Sequence, residues 1–152
     1  MAALNDIPTV KVEMLIRRPV DEVFEAFINP ELTTKFWFTK SSGRLEAGKK
    51  VQWDWEMYGA SAEITVLEIE ANKRILIDFG TEVEWVFTRR TDHETMVTIR
   101  NSGFEGDGDE VVKQAIDSTE GFTIVLCGLK AFLEHGILLN LVADKAPDSH
   151  VD

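Results

Sequence analysis

The chain has 152 residues, 44% of them hydrophobic and 28% charged, with a formal net charge of −11 at pH 7. That length suits one domain able to bury a core of its own. The negative excess repels phosphate backbones and anionic lipid headgroups, which argues against nucleic-acid binding and membrane-surface roles.

Val10, Val12, Met14 and Ile16 alternate with Lys11, Glu13, Leu15 and Arg17, the period-2 signature of a strand with one buried face. Pro19 follows at the start of a helix, where its missing N–H costs nothing. Val20, Val23, Phe24 and Phe27 then form one apolar helical stripe, which Asn29-Pro30 breaks. A second short helix, about Glu31 to Phe36, delivers the aromatic cluster Phe36, Trp37 and Phe38.

From there the pattern is strands and turns. Val51, Trp53, Trp55 and Met57 share a phase, and after Gly59 so do Ala62, Ile64 and Val66. Leu67 and Ile69 shift that phase by one residue, which predicts a β-bulge and a bent strand. Ile75, Ile77 and Phe79 alternate after the turn at Asn72-Lys73. Val83, Trp85 and Phe87 follow Gly80, and Val97 and Ile99 follow Asp92-His93. A Gly/Asp-rich loop from Gly103 to Glu110 contains Asp107 and Asp109, either of which suits a helix N-cap.

The last helix is expected from about Asp109 to His135, with Val112, Ile116, Phe122, Val125, Leu126, Leu129, Phe132 and Leu133 broadly on one face. Ala143 to Asp152 reads as a flexible tail, leaving a core of about residues 9–136 within one domain spanning 1–152. The predicted architecture is α+β, in the order β-α-α-β6-α. Its antiparallel sheet curves around the long C-terminal helix, because only a wrapping sheet buries so long a stripe.

Several motifs sit at telling places in this order. They are Arg18-Pro19-Val20-Asp21-Glu22-Val23-Phe24-Glu25-Ala26-Phe27, Asn29-Pro30-Glu31-Leu32, Phe36-Trp37, Asn101-Ser102-Gly103-Phe104, and Glu120-Gly121-Phe122 with Leu126, Leu129 and Leu133. Together they resemble the START-like, helix-grip superfamily, and within it domains similar to the C-terminal domain of the activator of heat-shock-protein-90 ATPase. The resemblance covers roughly residues 9–136. It departs after the helix glycine, where the family usually has Trp and this chain has Phe122. What it implies is an apolar ligand, such as a lipid, hormone or polyketide, held between sheet and helix, with cyclase activity in a minority of members. The eukaryotic co-chaperone carries an additional N-terminal domain, for which 152 residues leave no room, so chaperone activation is not expected.

The expected ligand-binding set is Trp37, Phe38, Trp53, Trp55, Ile64, Ile77, Phe79, Trp85, Phe87, Phe122, Leu126 and Leu129, with Trp37 and Phe38 near the mouth. Rings of this kind otherwise simply pack as core; the fold's resemblance favours a cavity. Gly121 and Gly128 lie seven residues apart on one helix face, each costing up to ~1 kcal/mol relative to Ala. Such glycines imply close packing or room for a ligand.

Catalysis has less support. Asp54, Glu63 and Glu84 alternate away from the aromatics, and Arg100 away from Val97 and Ile99, so all four read as exterior. Glu82 lies on a strand as well, and an inward carboxylate would be needed for a polyketide-cyclase-like enzyme. Cys127 reads as a small buried side chain mid-helix, and no Gly-x-Ser-x-Gly elbow is present. Asp107-Gly108-Asp109-Glu110 lacks calcium-loop spacing, and His93, His135 and His150 lack ligand spacing, so neither metal nor cofactor is expected. A protein partner on the acidic exterior is the third reading. With one cysteine, no signal peptide at Met1-Ala2-Ala3-Leu4-Asn5-Asp6 and no run approaching the ~18 apolar residues of a bilayer span, a cytoplasmic location is expected.

Overall fold

The computed structural model describes residues 7–148. Residues 1–6 and 149–152, which include His150, lie outside the described residues. The chain runs β1 (Val10–Ile16), α1 (Val20–Ile28), α2 (Pro30–Thr33), β2 (Lys40–Ser41), β3 (Lys50–Trp55), β4 (Ala60–Glu70), β5 (Arg74–Asp78), β6 (Glu82–Thr91), β7 (Glu94–Ser102), α3 (Gly108–His135) and α4 (Leu141–Asp144).

One antiparallel sheet of seven strands results, in the order β1-β7-β6-β5-β4-β3-β2. The two edge strands, β1 and β2, are joined through α1 and α2, so that short helical pair carries the chain from one edge of the sheet to the other. Consecutive strands pair from β3 to β7 through short turns, as their alternation predicts, and β2 pairs with β3 across a longer connection. The phase shift after Val66 is a bulge: the β4–β5 register slips between Val66 and Glu68. Such a bulge increases local twist and helps the sheet curve. Ala62–Val66 and Leu67–Ile69 are therefore one bent strand. The sixth strand after the helices is instead Lys40–Ser41, too short to show alternation. β3 stops at Trp55, and Met57 sits in a 3₁₀ turn, Glu56–Tyr58, that ends in left-handed Gly59.

The capping acid of α3 is Asp107, whose side chain accepts a hydrogen bond of 2.9 Å from the Glu110 N–H. The C-terminal half of α3 is bound to β1. Lys130 Nζ donates to the Leu15 carbonyl at 2.8 Å, and the Arg17 N–H donates to Glu134 at 2.9 Å. Burial alone would raise the Glu134 carboxyl, but the Arg17 N–H and the Lys130 ammonium outweigh it and hold it below the ordinary carboxylate range.

The N-terminal half of α3 departs from the expected pattern. Ile116 and Val112 are 61% and 43% exposed rather than buried. At 100° per residue Ile116 lies about 140° around the helix from Leu129, off the stripe. Part of the expected tail from Ala143 to Asp152 contacts the domain: α4, which ends at Asp144, and Lys145 reach back to it. Tyr58 donates its hydroxyl to the Val142 carbonyl, and Lys145 pairs with Glu120 at 2.7 Å. Among the described residues no helix is long and apolar enough to cross a membrane.

Candidate functional site

The physical origin of the site is a change of character along α3. From Phe122 onward its sheet-facing stripe is apolar: Phe122, Val125, Leu126 and Leu129 are all buried. In the preceding turns the same stripe carries Gln114, Ser118 and Gly121, which cannot fill the space above the sheet. Gln114 and Ser118 lie eleven residues before Val125 and Leu129, only about 20° around the helix from them. A cavity of about 530 Å³ remains between this half of α3, the β3–β6 side of the sheet and α4.

Rings make up much of its apolar wall. Trp37, Trp55, Phe79, Phe104 and Phe122 line it, with Tyr58, Val125 and Val142. Trp37 stands at the junction, its ring 4.8 Å from Trp53, 6.3 Å from Trp55 and 5.9 Å from Phe122. Phe79 and Thr81 reach the lining from either side of Gly80, whose φ of +80° turns the chain between β5 and β6.

Polar groups gather on one side. Buried Asn101 donates its amide nitrogen to Thr81 Oγ1 at 2.7 Å and to the Glu82 carbonyl at 2.9 Å. Its amide oxygen accepts from Ser118 Oγ at 2.7 Å. The ionisable groups on the lining are Tyr58, Asp117 and Lys145.

The expected ligand residues divide into two sets. Trp37, Trp55, Phe79 and Phe122 line the cavity. Phe38, Trp53, Ile64, Ile77, Trp85, Phe87, Leu126 and Leu129 lie instead within the closed core, each at most 4% exposed. Phe38, expected at the mouth, stacks on Trp53 at 4.6 Å. Strand alternation tells which face a side chain takes but not its depth, so it could not separate these sets.

Tyr58, Thr81, Asn101, Phe104, Gln114 and Ser118 were missed. For Gln114 and Ser118 a signal existed in the sequence: polar residues on a helical stripe that is apolar farther along. For Thr81 and Asn101 there was none, because their meeting depends on β6–β7 pairing.

The two helix glycines serve different ends. A Cβ at Gly121 would meet nothing within 4 Å, and the residue lines the cavity. At Gly128 a Cβ would lie 3.2 Å from Phe36 Cβ and 3.3 Å from the Phe36 carbonyl oxygen, so that glycine permits a close approach to the chain after α2. Gly121→Ala should therefore raise stability by up to ~1 kcal/mol through helix propensity. Gly128→Ala should lower it, since overpacking costs about 1–3 kcal/mol and outweighs the same gain. Thermal unfolding of the two variants checks the opposite signs.

The groups expected outside are outside. Asp54 is held below the ordinary carboxylate range by hydrogen bonds from the Ser61 hydroxyl and the Gln52 amide. Glu63 faces Lys50 at 3.6 Å, and Glu84 accepts from Arg74 at 2.5 Å with Arg100 at 3.8 Å. Glu25, beside Arg44, is also lowered. Downward shifts are the opposite of what a general acid needs. Cys127 is half-buried rather than fully buried. His93 is exposed in its turn, as is His135 at the end of α3. Among the described residues no group of three or more His, Cys, Asp or Glu is arranged to hold a metal ion.

Comparison with known proteins gives these features a family. The sequence profile described as Activator of Hsp90 ATPase homolog 1-like protein matches residues 17–134 of this chain. No curated protein matches it. Protein SSP2350 from Staphylococcus saprophyticus is 32% identical, with a TM-score of 0.78 over 87% of this chain and 96% of its own. DynU16, a protein in the dynemicin biosynthetic locus, is 25% identical with a TM-score of 0.73 over 86% of this chain, which spans 48% of the DynU16 chain. The Aha1 dimer from Colwellia psychrerythraea, 17% identical, shares the fold at a TM-score of 0.73, covering 85% of this chain and 98% of its own. With its profile match extending across most of the chain and the same seven-stranded sheet gripping a long helix, the protein belongs to the Activator of Hsp90 ATPase homolog 1-like family of the START-like superfamily.

Proposed function

We propose that the protein binds a small apolar or aromatic molecule in the cavity between the N-terminal half of α3 and the sheet. One observation carries this reading: a space of about 530 Å³ whose exposed lining is mainly apolar, with the rings of Trp37, Trp55, Phe79, Phe104 and Phe122 in it. That is the usual constitution of a small-molecule site. Affinity would come chiefly from apolar burial, at ~25 cal/mol per Å² removed from water. Trp37, Trp55, Phe79 and Phe122 are the side chains that would make the contact. A cytoplasmic setting suits the free thiol of Cys127.

A cyclase-like enzyme is the second reading, favoured by the similarity to DynU16 with its place in a biosynthetic locus. It requires a titratable group against the substrate. The carboxylate on the lining is Asp117, which is exposed, so a binding role is the simpler one.

Titration with neutral naphthalene-type aromatics and fatty acids, followed by tryptophan emission, tests the proposal. Because Trp37 and Trp55 are in the wall, a saturable change is expected. A linear response across the whole panel would sink it.

A further inference from the structure

We infer that the cavity selects an aromatic or polycyclic molecule bearing a protonated amine, in preference to a carboxylate of the same shape. The inference rests on the cavity being the ligand site. It follows from what the polar groups of the α3 wall can still do once their internal hydrogen bonds are made; across the cavity Thr81, whose Oγ1 accepts from Asn101, keeps a hydroxyl proton to donate.

Asn101 fixes the first step. The Glu82 carbonyl can only accept, so the group 2.9 Å from it must be the Asn101 NH₂. The Asn101 oxygen therefore faces Ser118, and Ser118 must spend its single proton there, at 2.7 Å. What Ser118 has left is acceptor capacity. Gln114 is committed in the same sense. Its amide nitrogen donates to the carbonyls of Glu105 at 2.8 Å and Glu110 at 3.2 Å, which leaves an amide oxygen that can only accept.

Asp117 completes the wall. Residues 114, 117, 118 and 121 follow the i, i+3, i+4, i+7 rule, so Gln114, Asp117 and Ser118 stand together on one face of α3, and all line the cavity. That wall is all acceptor, with one carboxylate. The cation on the lining, Lys145, is already matched by Glu120 at 2.7 Å. A carboxylate ligand would meet Asp117 and would have to displace Glu120 from Lys145. An ammonium would find acceptors on the α3 side and the rings of Trp37, Trp55 and Phe79 on the other, and cations are attracted to ring quadrupoles. The net charge of −11 acts in the same direction at longer range.

Three naphthalene probes of matched size test this: naphthylmethylammonium, neutral methylnaphthalene and naphthoate, titrated calorimetrically at neutral pH. Running them at about 0.3 M salt screens the long-range charge and leaves the local preference. The ammonium should bind about tenfold or more tighter than the carboxylate, the scale of one charge-assisted hydrogen bond. Asp117→Asn, an isosteric change at an exposed position, should cut that ratio several-fold. Equal or tighter binding of naphthoate overturns the inference while methylnaphthalene binding keeps the cavity as the site. A preference unchanged in both Asp117→Asn and Ser118→Ala also overturns it. If none of the three binds, the ligand-site reading falls with it.

Discussion

Gly121→Phe should weaken uptake of apolar probes by about tenfold or more while leaving the fold intact. The substitution is allowed by the backbone, because Gly121 is helical within α3, and among the described residues no atom beyond its own stretch of helix backbone lies within 4 Å of the position its Cβ would take. The new ring would enter the cavity beside Phe122, occupying space that a ligand needs. Replacing a mid-helix glycine also recovers much of its ~1 kcal/mol propensity deficit, so the unfolding temperature should stay level or rise. A drop in affinity of about tenfold or more, ~1.4 kcal/mol, is expected. Titration and thermal unfolding of the same preparation check both halves. Undiminished binding by a folded Gly121→Phe protein would move the site elsewhere on the molecule.

Trp85→Ala should be the most damaging single change among the aromatics, and its effect should fall on stability rather than on binding. Trp85 is 1% exposed, with ring centroids 5.9 Å from Phe27, 6.0 Å from Trp37 and 6.1 Å from Phe122. Those neighbours are held by separate elements and could collapse only partly into the void. A truncation of this kind costs about 3–5 kcal/mol, a large share of the ~5–15 kcal/mol that holds a typical domain folded. Trp85→Phe should cost far less. The Trp85 indole N–H is buried with no hydrogen-bond partner among the described residues, so removing it strands no partner group. Urea unfolding gives both values from the shift of the midpoint. A loss below about 1 kcal/mol for Trp85→Ala would mean that its surroundings are looser than the ring packing indicates.

Local physics made most of the fold legible. Alternation is a property of a few adjacent residues, so Val10–Ile16, Ile75–Phe79 and Val83–Phe87 announced themselves as strands, and the slip after Val66 announced the bulge seen between Val66 and Glu68. An acidic cap at Asp107 or Asp109 and the length of α3 were legible for the same reason, and the structure puts the cap at Asp107. Because a short helix is marginal without tertiary contacts, α4 was not. It rests on Tyr58 reaching Val142 and on Lys145 reaching Glu120, and no local pattern encodes either.

Depth in the molecule was equally beyond local pattern. Trp53 and Trp55 share one phase of β3, yet Trp53 is sealed in the core and Trp55 stands half-buried in the cavity wall. Gly121 and Gly128 share one helix face, yet one faces space and the other the Phe36 backbone. Which residues could face inward was a matter of local pattern, because alternation and helical phase act over one or two turns. Tertiary structure alone decided where inward meant core and where it meant cavity. That depends on how α3 is seated, which involves contacts far apart in sequence, such as Lys130 with Leu15 of β1 and Gly128 with Phe36.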